Sequence, residues 1–377
     1  MERTVGSVTE SPASRWLMIE CRTDMSTSSG TRIAGLGRSL PKAHLSTDEL
    51  MGSTRHRTGI DLERLTGVRE RRVSDGSDDS LSLAVEAAWA CLSRSGCAPE
   101  DLDVVVNCSI TKFRPGLVQW IDPPMSVAVA RAIGASSAVT FDVSNACAGM
   151  LTGVFILNNW IRQGLVRNGL VVSGECISSL ARNAAEHVRN IMSRELASLT
   201  LGDAGAAILL ERCPTDAPGI SVAGFTTIAE HSRLCVAYPS AHEPGARMFT
   251  RSQALQRAAI KDSPTLLREI LQAADIEIGA IDHVVPHQTS VRAIRKGMAY
   301  LEEELGGSPA NPAVVTVDHY GNTASTSHTV ALVEQLEEGR IHAGDTVALV
   351  ALASGLVIGV VLFEADEALV RSYGHAA

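Results

Sequence analysis

The sequence predicts an α/β protein built as a duplicated unit with two buried central helices. Three observations lead there. Short apolar runs rich in Val and Ile alternate with Ala- and Leu-rich runs of helical length. The order helix, strand, strand, helix, strand, strand occurs twice along the chain. The strand runs are continuously apolar rather than alternating, which is the pattern of sheets covered on both faces.

In the first half, residues 80–96 read as a helix, and 103–107 (Asp-Val-Val-Val-Asn) as the buried strand it feeds. Residues 139–143 form the next strand, followed at once by a nearly uncharged helix opening near Cys147. Two more strands, 170–174 and 206–210, complete the half, the second after the Gly202-Asp203 turn. The second half repeats the theme with a helix at 264–274 and strands at 282–286 and 313–317. A helix at 325–338 and strands at 346–352 and 356–363, joined by Ser354-Gly355, finish it.

The organisation expected is a Ser/Thr-rich disordered leader at 1–30 and a first half at 31–212 that carries a cysteine at a strand-to-helix junction. Residues 213–262 are a linker and pocket-covering insertion, with weak periodicity from 225 on, and 263–377 are the second half. Two prolines and a charge cluster at 212–218 mark the division.

Composition excludes several functions. Lys and Arg number 33 against 42 Asp and Glu, a net charge of -9, which argues against a generic nucleic-acid binder. Only 4% of residues are aromatic, too few for a base-stacking platform. The eight cysteines show no CxxC pair, so no zinc site is expected, and they read as reduced core residues of a cytoplasmic protein. Residues 148–161 are apolar but fall short of the roughly 20 residues of a membrane span. The apolar run at 16–19 is too short for a signal peptide, whose apolar region needs about 7–15 residues.

Three side chains stand at the carboxyl ends of predicted strands. Cys147 opens the helix Cys-Ala-Gly-Met-Leu-Thr-Gly, where unpaired N–H groups favour a thiolate. Alone it is either a nucleophile or an ordinary buried cysteine. His287, in Val-Pro-His-Gln, is either structural or a general base or hydrogen-bond donor. Asn322, in His-Tyr-Gly-Asn-Thr, is either a turn residue or a site residue. Together the three types define a plausible site for thioester chemistry.

Those residues carry a resemblance. Asn145-Ala146-Cys147-Ala148-Gly149, Val285-Pro286-His287-Gln288 and Gly321-Asn322-Thr323 resemble the nucleophile, His and Asn motifs of the thiolase superfamily, specifically its β-ketoacyl-acyl-carrier-protein synthase III branch. Their spacings, 140 and then 35 residues, are similar to those of the branch. Thr66-Gly67-Val68-Arg69-Glu70-Arg71 and Gly202-Asp203-Ala204-Gly205-Ala206 resemble two further landmarks, so the likeness runs from about 31 to 364. The resemblance implies the thiolase fold, with layers α-β-α-β-α, and a homodimer. It implies that Cys147 attacks an acyl thioester, while His287 and Asn322 bind the second thioester's carbonyl and stabilise its enolate. The N–H groups of Cys147 and Gly355 would form the oxyanion hole.

Two departures bear on the substrate. The fatty-acid initiation enzymes place a Trp and an Arg before Thr-Gly-(Ile/Val)-Arg to clasp coenzyme A; the matching stretch here is Asp61-Leu62-Glu63-Arg64-Leu65. The stretch from Phe113 to Asp122 is longer than in those enzymes and resembles the head-to-head acyl-thioester condensing enzymes of olefin synthesis, whose loop presents a base to the partner subunit. Asp122-Pro123 stands at that place, making Asp122 either this base or a surface acid. The stretch from Arg194 to Leu201 also resembles that subgroup. Arg292, Arg295 and Lys296 lie where the family docks acidic carrier protein, and are otherwise a solvated charged face.

The expected function is a Claisen condensation. An acyl group loads onto Cys147 and joins a malonyl- or acyl-thioester to give a β-ketoacyl product, in fatty-acid-like, polyketide or other lipid metabolism. The alternative is transfer of that acyl group to an oxygen or nitrogen of a small molecule. Acyl-coenzyme A or acyl-carrier-protein thioesters are expected as substrates and no resident cofactor, metal, nucleic acid or membrane as partner.

Overall fold

The computed structural model describes residues 29–374, so the expectation of a disordered leader falls almost wholly outside the described residues. Gly30 already belongs to a strand, β1 (Gly30–Ser39). Four more strands join it in one sheet: β2 (Val104–Asn107), β3 (Val139–Asp142), β4 (Asn168–Glu175) and β5 (Ala204–Cys213), in the order β1-β5-β4-β2-β3. The second sheet holds β6 (Ile220–Thr227), β7 (His283–Pro286), β8 (Thr346–Ala353) and β9 (Val357–Glu364), in the order β6-β9-β8-β7. The two sheets have the same handed pattern of pairings. β1-β5 and β5-β4 are antiparallel and β4-β2 parallel. Likewise β6-β9 and β9-β8 are antiparallel and β8-β7 parallel. The sequence duplication is therefore a structural one.

Helices fill three layers. α1 (Ser80–Ser95) and α2 (Met125–Ile133) bury Ala84, Cys91, Val129 and Ile133 against the outer face of the first sheet. α1 begins where Asp79 accepts from Ser82 N–H and ends at the left-handed Gly96. α3 (Gly149–Arg162) and α6 (Ser327–Glu337) lie between the sheets, where Leu151, Val154 and Leu157 share one core with Ala331, Leu332 and Leu336. α4 (Ser252–Ala274) and α5 (Val291–Leu305) cover the second sheet through Leu266, Ile270 and Leu301. Each central helix is buried nearly all round because it faces a sheet on either side.

Two expectations need correction. Residues 213–262 are not a linker and irregular insertion. β6 is a core strand of the second sheet, Cys235–Pro239 pairs with Ala246–Thr250 as a regular hairpin, and α4 already begins at Ser252. Nor is 313–317 a strand. Val314 N–H reaches Val284 O, but the rest of the ladder is replaced by one side chain. The buried Gln288 amide donates to Val314 O and accepts from Thr316 and Val317 N–H, and Val317–Tyr320 turns helical. Pro312, lacking an N–H, removes a further rung.

Candidate active site

The 144–149 segment leaves β3 and turns sharply. Ala146 takes a left-handed φ of 46°, unfavourable for a residue with a Cβ, and a 3-10 turn over Ala146–Ala148 follows before α3 begins. The Asn145 side chain pins this turn by donating to Thr152 Oγ1 at 2.9 Å. Cys147 thus precedes the α-helix by two residues rather than opening it. Its side chain is half-buried against an apolar cluster of Phe113, Ile177, Leu180, Leu201 and Ala324, with Ala246 and Met248 of the hairpin packed on the same cluster. The residues expected to cover a pocket therefore do reach the cysteine, from regular structure.

The sequence led us to expect a stabilised thiolate, and the surroundings oppose one. Burial pushes the Cys147 thiol up, and the neighbouring Cys235 and Glu175 push the same way; only its own backbone N–H acts downward. The proton must leave as the sulfur attacks.

His287 follows β7, with its N–H bonded to Val350 O. Its Nδ1 lies 2.9 Å from Ser327 Oγ, leaving Nε2 without a protein partner among the described residues. The ring stacks on His328 at 5.8 Å, and burial, then that neighbour, lowers its pKa to about 3. Burial also lowers His328 to about 4, and its Nε2 donates to Val350 O. His287 is therefore a neutral ring, suited to donating a hydrogen bond rather than holding a charge.

Asn322 sits where the halves meet: its N–H donates to Thr200 O and its carbonyl accepts from Gly202 N–H. Ala324 N–H donates to Asn322 Oδ1 at 3.0 Å, which identifies that atom as oxygen and turns the Nδ2 donors outward. The residues 322–328 are thus a common meeting place. Cys147 packs on the cluster containing Ala324, His287 bonds Ser327, and Asn322 bonds Ala324. Gly355 lies in the turn between the paired residues Ala353 and Val357, outside the ladder, and both strands of that hairpin pack on the Cys147 turn. Its φ of 144° is open to glycine and disfavoured for other residues.

Asp122 lies apart from this cluster. It is exposed, its side chain has no hydrogen bond or ion pair among the described residues, and it follows a small hairpin of Phe113–Arg114 and Val118–Gln119. Arg114 stacks 4.5 Å over Trp120 there, and Val118 and Ile121 are 63% and 85% exposed. Arg292, Arg295 and Lys296 are exposed on α5. Arg295 also lines a groove of about 650 Å³ shared with Asp61, Glu63, Arg64, Arg69 and Asp318. Of the stretch Asp61 to Leu65, Asp61 lines the groove and caps the short helix Leu62–Thr66, Glu63 and Arg64 line it too, and Leu65 is exposed.

Sequence reasoning missed the residues that hold these groups. Ser327 and His328 position His287, and Gln288 anchors the segment leading to Asn322. The polar run Ser325-Thr326-Ser327-His328, opening a helix between two sheets, was the available signal. The landmark Asp203 is fully buried and accepts from Ser74 N–H, Ser178 N–H and Ser178 Oγ, which makes it a structural tie. The landmark Arg71 is equally buried and donates to Leu45 and Leu199 carbonyls. Among the described residues no group of His, Cys, Asp and Glu is arranged to hold a metal, and no helix is long and apolar enough to cross a membrane.

Residues 141–230 match the family model of 3-oxoacyl-[acyl-carrier-protein (ACP)] synthase III, and 271–365 match that of its C-terminal part. The β-ketoacyl-[acyl-carrier-protein] synthase III of Symbiobacterium thermophilum is 30% identical over 346 residues, covering 87% of this chain and 96% of that protein. That of Erythrobacter litoralis is 28% identical over 331 residues, covering 87% and 97%. Among solved structures, 3-oxoacyl-[acyl-carrier-protein] synthase III from Aquifex aeolicus superposes with a TM-score of 0.75 at 26% identity, covering 89% of this chain and all of that one. A histidine-to-alanine variant of Xanthomonas campestris OleA gives a TM-score of 0.77 at 25% identity, covering 89% and 98%.

Proposed function

The chain belongs to the β-ketoacyl-[acyl-carrier-protein] synthase III family, a family of condensing enzymes, and from that premise we propose how its own residues divide the reaction. Cys147 takes the acyl group from a thioester: the sulfur attacks the carbonyl, its proton departs, and the donor thiol leaves. The N–H groups of Cys147 and Gly355 receive the oxyanion of the tetrahedral intermediate. The acyl chain rests among Phe113, Ile177, Leu180 and Leu201. His287 Nε2–H and Asn322 Nδ2–H then donate to the carbonyl of the second thioester and hold the enolate oxygen that forms as CO2 leaves a malonyl thioester or as a base takes the α-proton of a plain acyl thioester. The enolate carbon attacks the acyl-Cys147 carbonyl and returns the thiolate. The observation that carries this reading is the convergence of Cys147, His287 and Asn322 on residues 322–328.

The docking of an acidic acyl carrier protein on Arg292, Arg295 and Lys296, with its thioester arm in the adjoining groove, is supported by the exposure of all three and by Arg295 lining that groove. A homodimer, in which Asp122 serves the partner's site as base, is supported by the exposed apolar side chains of Val118 and Ile121 beside an exposed Asp122 whose side chain has no hydrogen bond or ion pair among the described residues. A base is required where no carboxylate leaves, because the α-proton must then be removed directly. Asp122→Asn should slow such a condensation without slowing Cys147 acylation; equal loss of both steps would exclude the role.

The deciding experiment is intact-protein mass of wild type and Cys147→Ala after mixing with acyl-coenzyme A and acyl-carrier-protein donors of varied length. The expected result is a mass gain in wild type alone, followed by a β-ketoacyl product on adding a second thioester. Labelling that persists in Cys147→Ala would overturn the assignment, and an ester or amide product would move the function to acyl transfer onto oxygen or nitrogen.

A further inference from the structure

One buried acid has no part in the chemistry above. Glu175, the last residue of β4, is 0% exposed. Its Oε1 accepts from Ile110 N–H at 2.9 Å, from Ser325 Oγ at 2.5 Å and from Ser173 Oγ at 3.3 Å. Its Oε2 accepts from Thr111 N–H at 3.1 Å and Thr111 Oγ1 at 3.0 Å. Ser173 and Ser325 also bond each other at 2.8 Å. No cation pairs with this carboxylate among the described residues. Ser173 and Ser325 carry one hydroxyl proton each, so with the bond between them at most four donors serve the carboxylate at once, and removing one member of the network leaves the others unpaired.

The three segments are the ones the reaction needs held together. Ile110 and Thr111 begin the stretch that supplies Phe113 and runs on to Asp122. Ser325 lies in the second half, next to Ala324, whose N–H fixes the Asn322 amide. Ala324 itself takes a left-handed φ of 55°, so this turn persists only while its surroundings hold it. We propose that Glu175 is a positioning residue for condensation: it clamps the Ser325 turn to the 110–111 backbone and thereby holds Asn322 toward the Cys147 side of the site. The inference rests on the reading of Asn322 as a donor to the second thioester.

The clamp has a cost that makes it testable. Glu175 and Cys235 are the titratable groups acting on the Cys147 thiol, and Glu175 also acts on buried Cys108, where Asp142 and Lys112 contribute too. Burial pushes the Glu175 acid up against the pull of its hydrogen-bond donors, and in its ionised form it works against the thiolate. Neutralising it should therefore help Cys147 ionise while harming condensation, two effects of opposite sign. A merely loosened fold has no reason to produce that pair.

Iodoacetamide alkylation of Cys147, followed by mass across a pH series, reads the first effect. Product formation by pre-acylated enzyme reads the second. In Glu175→Gln the alkylation midpoint should move to lower pH while condensation falls roughly tenfold or more, as expected for misplacement of a group at the reacting centre. Ser325→Ala keeps the charge and cuts the tie, so condensation should fall with the alkylation midpoint unchanged. This second variant carries the test if Glu175→Gln does not fold. Condensation at the wild-type rate in the variants overturns the proposal, and so does parallel loss of alkylation and condensation. Failure of the underlying reading would show as Asn322→Ala condensing at the wild-type rate; failure of this inference would show as Glu175→Gln and Ser325→Ala condensing at that rate while Asn322→Ala does not.

Discussion

In the first half, β3 leads through Ala146, at φ 46°, into a 3-10 turn and the central helix α3, and the residue after that alanine is Cys147. In the second half, the 313–320 segment leads through Ala324, at φ 55°, into a 3-10 turn and the central helix α6, and the residue after that alanine is Ser325. The same strained corner thus occurs twice, but its occupants differ. Cys147 is half-buried and faces an apolar cluster, whereas Ser325 is fully buried and spends its hydroxyl on Glu175. The second half instead reaches the site with the residues flanking its corner, Asn322 before it and His287 from the end of β7. Duplication supplied two equivalent corners, and the proposed nucleophile occupies one of them directly while the other serves as scaffold.

The comparison predicts a division of labour that kinetics can break. Cys147→Ala should abolish both loading and condensation. His287→Ala and Asn322→Ala should each lower condensation by about 10²–10³-fold, the size of losing an oxyanion donor, with loading changed far less. Loading rates by mass and product rates from pre-acylated enzyme would check this. Loss of loading in the His and Asn variants would mean the halves do not act separately.

The second half should also set the acid limit of stability. Burial holds His287 at about 3 and His328 at about 4, both below the ordinary value. The unfolded chain therefore takes up protons that the folded chain refuses. Stability from these rings is full above about 6.5 and falls with pH below it, by about 1.4 kcal/mol per pH unit for each histidine. Denaturant unfolding between pH 7 and 4 should show that slope, reduced by one proton in His328→Gln. An unchanged slope in that variant would refute the assignment.

A smaller effect sharpens the contrast at the sheet edges. The first sheet closes on β3 with backbone pairing, while the second replaces its fifth strand with the Gln288 amide. Gln288→Leu should cost about 2 kcal/mol, because it strands buried backbone groups at 314–317. A shift of the urea midpoint at constant slope is the measure, and a wild-type midpoint would show that backbone pairing can form there after all.

This last feature explains what the sequence concealed. The strands β2, β4, β5, β7, β8 and β9 were legible because each contains a continuous apolar run, the pattern of a strand covered on both faces. The run Ala313-Val314-Val315-Thr316-Val317 looks the same, and nothing local reveals that a glutamine 26 residues earlier takes its hydrogen bonds. The hairpin after β6 was hidden for the converse reason: its half-exposed strands have no core face long enough to set a period. Cys147, His287 and Asn322 were singled out as candidates through motif order. The groups that orient them were not, because a buried Glu175 or Ser327 gains meaning only from partners on other segments. The expected thiolate at Cys147 failed similarly: the helix end was visible in the sequence, but the desolvation and the nearby carboxylate were not.

The paired left-handed alanines also bear on how this molecule loses its function when heated. Neither corner is at rest in its own backbone geometry, and each is kept in place by the central helix it opens and by the sheets on either side. Once those layers separate, both corners relax toward right-handed backbone, and the site disperses in the same event. Inactivation should then accompany the melting of the core that holds both corners.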